Sequence, residues 1–123
     1  NKRDTRASQS DYEIAPQVLK SKTSSRSYRV QRSNPEIRKR VLFLCAIFEN
    51  RIPGLRIVID RNCYNLINDL LYIKQDANGG KVKQTATENG VRYEQYGHTS
   101  DAFEYLITTI AASQFRDFER LIL

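Results

Sequence analysis

Apolar side chains recur every three or four residues in several stretches of this chain, and a β-branched run interrupts them once. Ile37, Val41, Leu44, Cys45 and Phe48 fall at helical spacing, which predicts a helix from about 35 to 50 with these residues inward. Asn34 before Pro35 is a suitable start, because proline at the first helical position gives up an N–H that has no partner there anyway. Pro53-Gly54 marks a turn. Leu55 to Ile59 reads as a strand ended by Asp60, and Arg61-Asn62 turns the chain into a second helix near 63–74, with Leu66, Ile67, Leu70 and Leu71 inward and Asp69 on the solvent face. Asn78-Gly79-Gly80 and Glu88-Asn89-Gly90 predict turns around strands at 81–87 and 91–96. The last long helix follows Gly97–Ser100, with Phe103, Leu106, Ile107 and Ile110 on one face. A break near Ala112–Ser113 starts a final helix bearing Phe115, Phe118, Leu121 and Ile122. Upstream, Ser10-Asp11 caps a short helix over 11–20, residues 21–27 form a basic loop, and 28–31 suit a short strand. Helices alternating with short strands predict an α/β layer fold.

Length and charge sharpen this picture. The 123 residues suit one domain or part of one. With no methionine in the sequence, the chain is expected to be an excised piece whose functional residues extend upstream of Asn1. Residues 1–40 hold eleven Lys/Arg against four Asp/Glu, a net of +7, whereas 41–123 hold nine against ten, a net of −1. A basic segment of this kind, with 1–27 as its expected flexible part, suits a polyanion by neutralising phosphates, or is simply a solvated tail. Two cysteines without a CxxC or a Cys/His cluster argue against zinc. Cys45 reads as a small buried hydrophobe, with a Cys45–Cys63 disulfide as the alternative. No signal peptide and no apolar run of spanning length are seen, so a reducing, intracellular setting and no membrane partner are expected.

Two places suit chemistry. Asp60 closes a strand, where α/β sheets place ligands, and its carboxylate is a hard oxygen donor for Mg²⁺ or Mn²⁺. It equally suits a turn or a helix cap. His98 and Asp101 stand three residues apart where a loop becomes a helix; they could serve a metal or a phosphate, or be ordinary helix-start residues. Glu104 shares a helix face with Asp101 as an accessory candidate. Neither a phosphate-binding Gly-rich loop nor a GxSxG element is present, and nothing local supports a Cys63–His98 pair.

Three segments resemble the carboxyl-terminal nuclease domain of tailed-phage terminase large subunits. Arg32 to Arg40 is similar to the start of a helix in that family. Ile57-Val58-Ile59-Asp60-Arg61-Asn62-Cys63-Tyr64-Asn65-Leu66-Ile67-Asn68-Asp69-Leu70 resembles its strand–turn–helix, and Tyr96-Gly97-His98-Thr99-Ser100-Asp101-Ala102-Phe103-Glu104-Tyr105-Leu106 resembles its closing His-x-x-Asp-Ala-x-x-Tyr motif. The likeness spans roughly 30–110. It implies an RNase H-like α/β nuclease fold, incomplete because its opening strand and first acid lie upstream. It also implies a metal-dependent endonuclease cutting concatemeric double-stranded DNA in the cytoplasm of a bacterial host. The partners implied are an ATPase domain, a portal and a small terminase subunit. Asp101 and Asp60 would hold Mg²⁺ or Mn²⁺ with the upstream acid, and His98 matches the motif histidine. Arg26, Arg29, Arg32, Arg38, Lys39 and Arg40 would grip the DNA backbone without reading sequence. The alternative is a non-catalytic DNA-binding or packaging-assembly module on a degenerate form of the same fold, and a third reading is a generic structural domain.

Overall fold

The computed structural model describes residues 33–122, so the expected helix at 11–20, strand at 28–31 and basic loop at 21–27 lie outside the described residues. The described residues form four helices and one two-stranded antiparallel sheet, a mixed α/β arrangement. The helices are α1 (Ile37–Phe48), α2 (Tyr64–Tyr72), α3 (His98–Ile110) and α4 (Ala112–Ile122). The strands are β1 (Thr85–Glu88) and β2 (Val91–Glu94).

Helix α1 starts after Pro35, but Glu36 rather than Asn34 occupies the cap position, and no side chain bonds the first turn. Its buried face shares only Leu44 with the expected one. Arg40, Phe43, Leu44, Ala46 and Ile47 are buried, while Ile37, Cys45 and Phe48 are exposed. The helix is apolar on two faces, and the core takes the Phe43–Ile47 face. There Phe43, Ile47, Ala111 and Phe115 form the buried cluster, with Ile52, Leu55, Ile57, Ile107 and Phe118 packed against it. The Phe43 ring lies 5.1 Å from Phe115 and 5.4 Å from Phe118, both tilted, an aromatic geometry that adds attraction beyond area burial.

Residues 55–60 do not form the expected ladder strand. Burial alternates along them, Leu55, Ile57 and Ile59 half-buried and Arg56, Val58 and Asp60 exposed, as on one face of a pleat. The β-branched side chains favour an extended backbone, but a strand also requires a neighbour, and these residues have none among the described residues.

Gln75 and Lys81 bridge across the Asp76–Gly80 turn, in which Asp76 Oδ1 accepts the N–H groups of Asn78 and Gly80. The ribbon continues into β1 and β2, registered Thr85 against Glu94 and Glu88 against Val91. Asn89 (φ 52°) and Gly90 (φ 76°) both take positive φ at the two-residue turn. That is the backbone twist a tight hairpin needs, and asparagine and glycine adopt it at least cost. The strands are shorter than expected, beginning at Thr85 rather than Lys81 and ending at Glu94 rather than Tyr96.

Helix α3 also presents an unexpected face. Ser100, Glu104 and Thr108, spaced four apart, point inward and are buried, while Leu106 and Ile110 are exposed. The chain breaks at Ala111 and resumes as α4, which buries Phe115 and leaves Leu121 exposed.

A buried charge cluster as candidate functional site

The closing motif forms the beginning of α3. Gly97 occupies its cap position at φ 120°, a backbone conformation that a Cβ would strain. The cap comes from a different helix. Asp69 of α2, only 4% exposed, accepts Gly97 N–H through Oδ1 at 2.9 Å and Ser100 N–H through Oδ2 at 2.8 Å. A carboxylate at a helix N-terminus satisfies orphan donors and opposes the positive end of the helix dipole. Asp69 is therefore not on the solvent face that helical periodicity assigns it; it is the one buried residue of α2.

One turn further along α3, two carboxylates meet two cations. Arg40 Nε donates to Glu104 Oε2 at 3.2 Å, Nη1 to the Pro35 carbonyl at 2.6 Å, and Nη2 to Asp101 Oδ1 at 3.1 Å. Lys81 Nζ reaches Asp101 Oδ1 at 2.7 Å, Glu104 Oε1 at 2.8 Å and Ser100 Oγ at 2.8 Å. The Arg40 guanidinium also stacks on Tyr105, 4.4 Å from its ring centre. Exposures of 2% for Arg40 and 3% for Glu104 put this pair out of reach of water, while the Asp101 side chain keeps 37%. Buried charges are tolerated only when paired and hydrogen-bonded, and no buried side-chain polar atom lacks a partner among the described residues. Sequence reasoning missed Lys81; the signal it offered was a lysine closing a Gly-Gly turn, which spacing alone does not connect to Asp101.

Arg40 is thus withdrawn from the proposed DNA-gripping set, because burial and four engagements leave it no surface to offer a phosphate. Arg38 is exposed, its stem lying where a side chain at Gly79 would come within 2.9 Å. Lys39 is engaged by Glu36 at 3.8 Å and Glu119 at 3.6 Å. Arg26, Arg29 and Arg32 lie outside the described residues.

Asp60 is exposed and closes a local turn, its Oδ1 accepting Asn62 N–H at 2.7 Å and its carbonyl accepting Cys63 N–H at 2.9 Å. His98 is 75% exposed and lies 3.5 Å from Glu94. Among the described residues, no three His, Cys, Asp or Glu side chains are gathered as a metal site. Asp101 Oδ1 faces two cations, and Asp60 and His98 are engaged elsewhere. Asp60, His98 and Asp101 are thus not gathered into a Mg²⁺ or Mn²⁺ site among the described residues.

Beside the cluster lies an apolar cavity of about 420 Å³. Val41, Leu44, Cys45 and Phe48 of α1, Ile59, and Ile67, Leu70 and Leu71 of α2 line it, with Lys81, Ser100 and Glu104 at its polar end. Both cysteines are free and exposed, contrary to the burial expected of Cys45. Partial desolvation, and then the nearby Glu49 carboxylate, push the Cys45 thiol pKa up.

No protein-family model matches the chain, and no curated protein and no solved structure matches it significantly. The terminase likeness therefore rests on the motif residues themselves. Among the described residues no helix is long and apolar enough to cross a membrane.

Proposed function

We propose that this chain belongs to the nuclease part of a phage or prophage DNA-packaging terminase large subunit, a divalent-metal-dependent endonuclease that cuts concatemeric double-stranded DNA. The observation that carries the reading is the closing motif. His98, Asp101, Ala102 and Tyr105 stand on the first turns of one helix, and Asp101 is the member of its cluster that retains solvent access. The side-chain bonds of Asp101 among the described residues both fall on Oδ1. The RNase H-like architecture, the acid upstream of Asn1, the ATPase, portal and small-subunit partners, and the host cytoplasm belong to the same proposal. The test is plasmid cleavage in Mn²⁺ by the chain extended upstream through the expected opening strand, beside its Asp101→Asn variant. Cleavage lost in the variant supports the nuclease; a folded, extended protein that leaves plasmid intact refutes it.

A second reading, a non-catalytic DNA-binding or packaging-assembly module, is favoured by one observation: Arg40 and Lys81 already neutralise Asp101 at 3.1 and 2.7 Å. DNA retention without metal, unchanged in Asp101→Asn and falling steeply with salt, would be its signature.

A further inference from the structure

Residues 55–60 alternate half-buried and exposed side chains as a strand does, and their N–H and C=O groups at 56–59 have no backbone partner among the described residues. An open edge of this kind is a template for another strand. Many proteins guard such edges with like charges, but this one carries charges of both signs. The outward face is Arg56, Val58 and Asp60, all exposed, with Val58 at 78%. Neither Arg56 nor Asp60 forms an ion pair among the described residues, and Asp60 uses only Oδ1, in its local turn.

The pattern is self-complementary in one arrangement. When two copies of the segment run antiparallel with Val58 opposite Val58, Arg56 stands directly across from the partner's Asp60, and Asp60 across from the partner's Arg56. On the other face, Ile57 stands opposite the partner's Ile59. A two-fold axis perpendicular to the paired strands relates the copies, as isologous dimers require. A parallel pairing in register would set like charges together, and a slip of two residues would break both ion pairs, so charge selects the register. The inner face gains as well: Ile59 lines the apolar cavity, and pairing brings the partner's Ile57 beside that wall.

We infer that residues 55–60 form a homodimerisation edge, an antiparallel strand pair centred on Val58 and fixed by two reciprocal Arg56–Asp60 ion pairs. The occupant of the edge is a second copy of this chain. A five- or six-residue pair buries little area, so the dimer is weak and exchanging. The inference is independent of the nuclease reading.

Sedimentation velocity on the whole chain, from micromolar to near-millimolar concentration and at low salt, tests it. The expected result is a mass rising from one chain toward two. Arg56→Asp and Asp60→Arg each weaken self-association about tenfold or more, because two attractive cross-strand pairs become two repulsive ones. Mixing those two variants restores a dimer, since the two carboxylates of one chain then face the two guanidinium groups of the other. Val58→Pro removes the central N–H and leaves a monomer. Circular dichroism checks that each variant is folded. A chain that stays monomeric throughout, a dimer indifferent to Val58→Pro, or a mixture that associates no better than its components would each overturn the proposal.

Discussion

Asp69 caps the helix that carries Asp101: from α2 it accepts the Ser100 N–H of α3 at 2.8 Å, with Gly97 N–H on its other oxygen. The position of the candidate acid thus depends on a carboxylate from another helix. Asp69→Ala strands two buried donors, and an ionised acceptor is worth more than a neutral one. The expected loss is about 2–4 kcal/mol, read as a lower urea midpoint at unchanged slope. Asp69→Asn, which keeps one acceptor oxygen, should fall between. A wild-type midpoint for Asp69→Ala would remove the cap from the account.

The Arg40–Glu104 pair gives a thermodynamic cycle. Glu104→Leu leaves Arg40 buried with half its anionic partners and should cost about 3–5 kcal/mol. Arg40→Met combined with Glu104→Leu removes both charges and leaves Lys81 paired with Asp101, so most of the loss should be recovered. Additive single losses in chemical denaturation would contradict the pairing.

Two apolar positions should respond in opposite ways. Phe43, fully buried between Phe115 and Phe118, should cost about 3–5 kcal/mol as Phe43→Ala. Leu71, 68% exposed at the rim of the cavity, should tolerate Leu71→Asp within about 0.5 kcal/mol. The same Leu71→Asp change should reduce binding of an apolar fluorescent dye to the cavity. Equal effects on thermal midpoint would mean the cavity face is covered in solution.

Cys45 supplies a pH test. Its thiol pKa lies above the ordinary 9.0, so at pH 8 less of it is thiolate, and mass-spectrometric alkylation should run several-fold slower than for a free thiol. The sign for stability follows from the same shift. As pH rises past 9.0 the unfolded chain ionises this thiol before the folded one does, so a contribution present below that value is lost above it. Cys45→Ser should flatten that alkaline decline. Alkylation as fast as a free thiol would contradict the shift.

Much of the element order was legible in the sequence, because proline, glycine and Asn-Gly punctuate it at Pro35, Pro53-Gly54, Asn78-Gly79-Gly80 and Asn89-Gly90. Which faces turn inward was far less legible. Periodicity assigns Ile37, Val41, Leu44, Cys45 and Phe48 to the core of α1, yet only Leu44 is buried, three of the five are exposed and the buried stripe begins with an arginine. In α3 it selects Phe103, Leu106, Ile107 and Ile110, of which Phe103 and Ile107 are half-buried and the other two exposed, while the structure fully buries Ser100, Glu104 and Thr108. A pattern-based reading treats charge as a marker of surface. Arg40, Asp69 and Glu104 escape that rule because each meets its counter-charge or donor from another segment, and such pairing has no local signature. The strand at 55–59 has no neighbour among the described residues for the complementary reason: propensity is local, whereas a ladder needs a partner.

The two-faced character of α1 has one more consequence. A helix that is greasy on two neighbouring sides has more than one energetically acceptable way to lie against its neighbours, since either stripe could be swallowed. Arg40 projects from only one of those sides, and its forked head reaches Glu104, Asp101 and the Pro35 carbonyl together from a single rotation about the helix axis. The salt-bridged arginine acts as a key cut for one lock: it gives little net stability, but it tells the helix which way to turn.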